Sequence, residues 1–154
     1  MRRLLAGWRK GRRGHAHERG SFLTITALAL PLAITLLGLV IDGGLMFRAE
    51  RRALALSAAA AHVGAQQIDQ TWFIATNRVR LDAGAAAAAA NDFLTRNAPA
   101  YVHPAGVSVW SDEVRVNAVA ELPTYFLRLF GIATVRINVS SVARPQYGIE
   151  ELGQ

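Results

Sequence analysis

The sequence predicts an α+β protein in which a single N-terminal transmembrane helix continues into an alanine-rich helical stalk, followed by a small ββαβ antiparallel sheet domain. Three observations lead to this fold class: an uncharged apolar run at residues 21–41, helical spacing of small residues within 46–93, and period-two alternation after residue 104. The chain has 154 residues, which leaves enough sequence beyond the apolar run for one small domain.

Residues 21–41 are predicted to be the transmembrane helix. At about 1.5 Å per residue, a helix of 21 residues spans roughly the 30 Å hydrocarbon core of a bilayer. Pro31 lies in its middle, where a transmembrane helix tolerates the missing hydrogen bond as a mild kink. The run is longer than the apolar core of a signal peptide and continues into Asp42-Gly43-Gly44, which lacks the small-x-small pattern of a cleavage site. An anchor is therefore preferred to a cleaved signal peptide.

Residues 1–20 form a basic arm that predicts the orientation. Seven basic residues against Glu18 give the arm +6, the whole net charge of the chain, because ten arginines and ten acids cancel after the span. Basic residues beside a span stay in the cytoplasm, so the N-terminus is predicted to be cytoplasmic and residues 42–154 extracytoplasmic. Membrane lipid is a better partner for this arm than nucleic acid. The residues taken to determine topology are Arg9, Lys10, Arg12, Arg13 and Arg19.

Residues 42–98 are predicted to form a helical stalk and helical hairpin. Small or apolar residues recur every three or four positions over 46–63 and again over 79–93, with Thr76 or Asn77 as N-cap of the second helix. A bend at the paired glycines after Asp42 is an added expectation. Alanine-rich stripes pack closely, so a homo-oligomer through the stalk helices is a further expectation.

Residues 105–145 are predicted to form the sheet domain, and 146–154 a C-terminal tail. A tight turn at 111–112 joins the first two strands, and a short helix between Pro123 and Gly131 precedes the third. The alternating apolar positions are Val107 and Val109, then Val114, Val116, Ala118 and Ala120, then Val135, Ile137 and Val139.

Catalytic and metal-binding motifs are missing from the sequence. The chain has no cysteine, so it has neither disulfides nor a thiol nucleophile, and no serine lies in a Gly-x-Ser-x-Gly turn. His15 and His17 are the one histidine pair at close spacing, but arginines surround them and no metal site is proposed. The sequence predicts a protein that is not an enzyme and needs no cofactor.

Three pieces of the sequence, in order, resemble the TadE/TadG-like proteins of tight-adherence (Flp) pilus systems. They are 19–31, which reads Arg-Gly and then an apolar run with Ala-Leu and Pro; 40–61, which reads Val-Ile-Asp-Gly-Gly, a basic turn and an alanine-rich tail; and 119–131 near the far end. The resemblance implies a bitopic protein of the bacterial inner membrane that assembles or anchors an adhesive pilus through contacts with other pilus-assembly or envelope proteins.

One departure from the family pattern bears on processing. The resemblance suggests a processing site at Gly20 and Ser21, but pilin-like members carry Glu five residues after the glycine, and here that position is Ile25. Without this carboxylate, a new N-terminal amine buried among helices would lack a partner. Ile25 therefore favours the TadG-like branch. The alternatives are a minor pilin or pseudopilin processed after Gly20, and a membrane-anchored extracytoplasmic binding module for a small ligand or peptidoglycan.

Overall fold

A computed structural model describes the backbone of residues 15–145 and the side chains of residues 22–145. It begins with one continuous α-helix of 51 residues, α1 (His15–Ala65), which runs through Pro31 and through Gly43-Gly44 without interruption. The helix is therefore continuous across the paired glycines, where a bend was an added expectation. Most of the predicted basic arm and the C-terminal tail lie outside the described residues.

The rest of the described chain forms two shorter helices and a three-stranded antiparallel sheet of order β1-β2-β3. The predicted α+β class is confirmed, although the helix expected between the last two strands is a single 3-10 turn that ends at Gly131 in the left-handed region (φ 86°). The elements are α2 (Gln70–Thr76), α3 (Ala83–Asn97), β1 (Val102–Val109), β2 (Val114–Pro123), the 3-10 turn (Leu127–Phe130) and β3 (Thr134–Ala143).

The outer half of α1 is the central helix of the folded domain. It packs against α3 and against β2 and β3, and its predicted small-residue stripe is buried there, with Ala53 and Ala60 wholly inaccessible. Because alanine adds only a methyl group, the α1 backbone comes close to both neighbours. The domain therefore lies alongside α1 and not beyond its end. The chain after α1 folds back toward the middle of that helix.

The inner face of the sheet supplies the other wall of the core. Val114, Val116 and Ala118 on β2 are buried, and the residues between them face outward. Leu94 of α3 is the largest fully buried apolar side chain in this cluster. The period-two alternation in the sequence thus separates a packed face from a polar face, on which Glu121 pairs with Arg136 across β2 and β3 at 2.6 Å.

The helix cap predicted at Thr76 or Asn77 is wrong. α3 begins after Asp82, whose Oδ1 accepts a hydrogen bond from the Ala85 N–H at 3.0 Å. Asn77 instead ends α2, with a left-handed backbone (φ 51°) and an N–H bond to the Phe73 carbonyl. Asparagine tolerates that conformation better than most residues, so the same polar residue suits a helix end as well as a helix start.

Strand β1 begins at Val102, three residues before the predicted start of the sheet domain. Pro104 was expected to precede the strand, yet it pairs with Ala118 inside it. The position is permitted because β1 is an edge strand, where a missing N–H need not interrupt the ladder. The pairing of β1 with β2 shifts register between Pro104 and Gly106, and Gly106 has a positive φ of 131°.

Gly64 is expected to be essential for close packing of α1. A Cβ at this position would lie 3.0 Å from the Ala86 carbonyl oxygen and 3.1 Å from Val114 Cγ1. Gly64→Val should therefore reduce the free energy of unfolding by about 1–3 kcal/mol through overpacking, measured by denaturant titration of the detergent-solubilised chain with circular dichroism. Gly43→Val is the control, because a Cβ at Gly43 meets nothing within 4 Å. Equal midpoints for the two variants would contradict the packing described.

Candidate functional site

The most distinctive polar contact in the described chain joins α1 to the loop between β2 and β3. The Asp42 carboxylate accepts hydrogen bonds from three successive backbone N–H groups, those of Tyr125 (3.0 Å), Phe126 (2.9 Å) and Leu127 (2.8 Å). The Asp42 residue is only 1% exposed. A single side chain thus connects segments more than 80 residues apart in sequence. We call this contact the helix-loop dock.

The chemistry of the helix-loop dock is that of a helix cap supplied by another element. The first N–H groups of a helical turn have no partner within the turn, and a carboxylate is a good acceptor for them because it is charged. Asp42 Oδ2 accepts from both Phe126 and Leu127, which open the 3-10 turn. The three donors in turn satisfy a carboxylate that is removed from water, so each side of the contact depends on the other.

Gly38 lies one turn before Asp42 and receives the side chain of Phe126. A Cβ at Gly38 would lie 2.1 Å from Phe126 Cδ1, closer than any side chain can approach. Only glycine leaves room for the ring at this point. The sequence Gly38-x-x-x-Asp42 therefore forms both halves of the receptor for the loop, a notch for the ring and an acceptor for the backbone.

The loop itself is closed at its base before it meets α1. Thr124 is buried; its N–H donates to the Ala133 carbonyl at 3.0 Å, and its hydroxyl donates to the Ile132 carbonyl. Inside this closure the 3-10 turn is completed by the bond from the Gly131 N–H to the Arg128 carbonyl at 3.0 Å. We refer to residues 124–132 as the apolar loop.

Two surfaces flank the helix-loop dock. The apolar loop leaves large side chains uncovered: Leu129 is 79% exposed and Phe130 68%. Next to α1, a groove of about 620 Å³ opens between the helix, Tyr101, which precedes β1, and Leu122 of β2. The arginines that line this groove are Arg48, Arg51 and Arg52.

The opposite end of the domain carries a second ordered loop, which we call the distal loop (residues 66–82). An isolated bridge between Ile68 and Leu81 closes it, and Arg80 forms an ion pair with Asp69 at 2.5 Å. The Arg80 guanidinium also stacks over the Trp72 ring, 4.2 Å from its centroid. α2 therefore has a defined position on the domain, although its Ile74 side chain is 83% exposed.

The residues predicted from sequence to determine processing and topology lie at the start of α1 or before it. Arg19, Gly20 and Ser21 lie in the first turns of α1, and Arg9, Lys10, Arg12 and Arg13 lie outside the described residues. Of the described histidines, His62 and His103 are both exposed. Among the described residues, no group of three or more His, Asp or Glu side chains is arranged to hold a metal ion.

Within residues 15–145, one helix is long and apolar enough to cross a membrane. By length and composition this is α1 over Phe22–Ala65. Its 44 residues would extend about 66 Å, roughly twice the hydrocarbon thickness, so only part can lie in the bilayer. The part before Asp42 is uncharged, and most of its large apolar side chains are exposed, whereas the part beyond is packed into the domain.

Comparison with known protein families gives a match that covers most of this helix. Residues 20–67 match the model of the Tad family, described as Flp pilus-assembly TadE/G-like. Over this segment the chain is similar to TadE/TadG-like proteins. No curated protein and no solved structure gives a significant match.

The TadE/TadG-like segment contains the α1 half of the helix-loop dock, whereas the apolar loop lies beyond the matched residues. Asp42 and the Pro123-to-Gly131 region belong to two separate pieces of the family resemblance. The sequence does not indicate that the Asp42 side chain binds the backbone of that region. The available signal was an acidic residue directly at the end of an apolar run, where a charge without a partner would be costly.

Asp42→Asn is expected to release the apolar loop. The amide keeps the size of the side chain but replaces one acceptor oxygen with a donor and removes the charge, so the dock should lose about 1.5–3 kcal/mol, the range for hydrogen bonds to charged groups. Arg128, which is exposed within the loop, is a trypsin site that reports its opening. In detergent, cleavage after Arg128 should accelerate about tenfold or more.

The matched control for this variant is Asp112→Asn in the exposed β1-β2 turn. It removes the same charge without touching the dock and should leave cleavage after Arg128 unchanged. Equal cleavage rates in Asp42→Asn and the unmodified chain would show that the carboxylate does not hold the loop.

The distal loop is expected to open in acid. The side-chain hydrogen bond from Arg80, followed by the Trp72 N–H bond, holds the pKa of Asp69 below its ordinary value of 3.8. A lowered pKa in the folded state means that the Asp69 contribution is complete above about pH 4 and is lost as the pH falls through the folded pKa. Trp72 emission, measured with Trp8→Phe and Trp110→Phe in place, should therefore change below pH 4.

Asp69→Asn should already show the acid-type emission at neutral pH and lose the transition. If the Asp69→Asn variant keeps the same acid transition as the protein with Asp69 in place, another carboxylate controls the distal loop.

Proposed function

We propose that this protein is a non-enzymatic, single-pass membrane protein of the TadG-like branch, which helps to assemble or anchor a Flp-type pilus. The observation that carries the proposal is the coincidence of the TadE/TadG-like match at residues 20–67 with a helix whose first half exposes apolar side chains to its surroundings. In the proposed orientation the arm is cytoplasmic and the domain lies outside the bacterial inner membrane, with Arg9, Lys10, Arg12, Arg13 and Arg19 holding the arm inside.

Retention of the whole chain in the membrane is favoured by residues in and just after the span. Ile25, 63% exposed on α1, offers no carboxylate to a cleaved neighbour's amine. Asp42 and Gly38 hold the folded domain against the last turns of the apolar part. A subunit that leaves the bilayer must find new cover for this apolar helix, whereas a permanent anchor is already covered by lipid.

Contacts with other pilus-assembly or envelope proteins are proposed at the distal loop. Trp72 and Phe73 are more than a third exposed and stand next to the nearly bare Ile74. Aromatic side chains held in place are favoured at protein interfaces, because they bury a large area with little loss of conformational freedom. The Arg80 stack on Trp72 provides this fixed position. The predicted homo-oligomer through the stalk helices is kept as a second form of contact, at the exposed face of α1, because the alanine stripe itself is buried in the domain.

Two other functions are kept as alternatives. A minor pilin processed between Gly20 and Ser21 would use the same exposed apolar residues to pack into a filament core. An extracytoplasmic binding module would use the groove beside Arg48, Arg51 and Arg52. The first alternative differs from the proposal in the mature N-terminus, so one experiment separates them.

The proposal predicts an intact chain with a cytoplasmic arm. Because the sequence has no cysteine, Gly11→Cys in the arm and Ser111→Cys in the exposed β1-β2 turn each introduce a single label site. In intact spheroplasts, a large membrane-impermeant maleimide should shift the gel mobility of Ser111→Cys but not of Gly11→Cys. After detergent permeabilisation both should shift.

Each alternative gives a different pattern. Processing after Gly20 would leave a chain shorter by 20 residues that never shifts in Gly11→Cys. With an inverted topology, Gly11→Cys would shift and Ser111→Cys would not shift in intact spheroplasts. Either pattern would overturn the proposal.

A further inference from the structure

The helix-loop dock fixes the depth of the apolar loop relative to the span. Asp42, the first residue after the span, binds the loop backbone, and Phe126 lies on Gly38, one helical turn closer to the cytoplasmic end. Four residues of helix correspond to about 6 Å along the axis. The loop is therefore level with the last turn of the span, at the boundary between hydrocarbon and headgroups.

The side chains that the loop exposes suit this depth. Leu129 and Phe130 are uncovered in the isolated chain, and Tyr125 is also exposed beside them. Tyrosine is enriched where a membrane meets water, because its ring is apolar and its hydroxyl is polar. Arg128, exposed in the same turn, has a long stem that lets its charge reach the headgroups while its methylenes stay in the apolar layer.

The arginines of the groove lie in the next layer outward. Arg48 is about 9 Å beyond Asp42 along α1, and Arg52 about 15 Å, within reach of the headgroup region for a long side chain. Neither arginine has an acidic partner among the described residues; Arg51, between them, stacks on Phe47 with its guanidinium 4.9 Å from the ring centroid. Apolar side chains at the level of the span and unpaired cations just above it reproduce the layering of a lipid leaflet.

We propose that the apolar loop inserts into the leaflet from which α1 emerges, with Leu129 and Phe130 in the acyl region and Arg128 at the headgroups. The occupant of this surface is lipid. A protein partner is disfavoured because α1 itself carries the loop to the bilayer boundary. The loop is then a second membrane contact beside the helix, and two contacts restrict how far α1 and its packed domain can tilt together relative to the bilayer. The inference rests on the membrane anchor of the proposed function.

Site-specific labelling tests the insertion on the full-length chain in proteoliposomes. Single cysteines are placed at Leu129, at Leu32 inside the span and at Ile74 in the distal loop, and each is coupled to a polarity-sensitive fluorophore. All three side chains are more than half exposed, so the substitutions should leave the fold intact. Ile74 is the matched control, because it is an exposed apolar residue at the opposite end of the domain.

Insertion predicts that the Leu129 label emits at shorter wavelength than the Ile74 label and is quenched by lipids carrying a nitroxide on the upper acyl chain. The Leu32 label, which lies near the middle of the span, should be quenched by lipids carrying the nitroxide low on the acyl chain, and the Ile74 label by neither lipid. A second loop label at Phe130 should behave as the Leu129 label does.

The outcomes separate the two proposals. Quenching at Leu32 with water-like emission at Leu129 and Phe130 overturns the insertion but leaves the anchor intact. No quenching at Leu32 overturns the anchor and the insertion with it. The nitroxide is carried by lipid, so quenching of a loop label reports contact with lipid and not burial against another protein molecule.

Discussion

Asp42 makes the contact on which the placement of the domain depends. Its carboxylate is almost completely buried and is balanced by three backbone N–H groups of the apolar loop. Without these donors, a charge at the end of an apolar helix would be buried without compensation, and the loop would keep three unpaired donors of its own. The contact is therefore favourable only when both segments are in place, which couples the end of the sheet to the end of the span.

The second constraint is the small size of the residues on α1. Ala53 and Ala60 are wholly buried, and at Gly64 a Cβ would lie 3.0 Å from the Ala86 carbonyl oxygen and 3.1 Å from Val114 Cγ1, so a larger residue there would force its neighbours to shift. The same holds at Gly38, which lies against Phe126. A chain without disulfides thus gains its order from close packing along one helix, whose first half is the candidate membrane span and whose second half forms the core.

This arrangement gives the molecule two different ends. One end carries the apolar loop and the arginine groove, and both are held near the point where α1 leaves its apolar half. The other end, about 35 Å farther along α1, carries the distal loop with Trp72 fixed by Arg80. The first end exposes apolar and cationic side chains where the apolar half of α1 ends, and the second exposes Ile74 beside the Asp69–Arg80 ion pair.

The sequence by itself determined the apolar run, the charge asymmetry, the amphipathic stripe of the outer part of α1 and the three strands. These features follow from local composition and period, which any short window of sequence contains. It also located Gly131 as a helix end. It misplaced the start of α3 because asparagine can end one helix as readily as it can start another, and it began β1 too late because proline is tolerated at a sheet edge.

Only the tertiary structure decided that the domain lies alongside α1 and that Asp42 binds residues 125–127. The carboxylate and its donors are separated by more than 80 residues, and backbone N–H groups have no signature in a sequence. The need for a partner could be seen at Asp42, but which segment provides it depends on how far the sheet folds back along the helix.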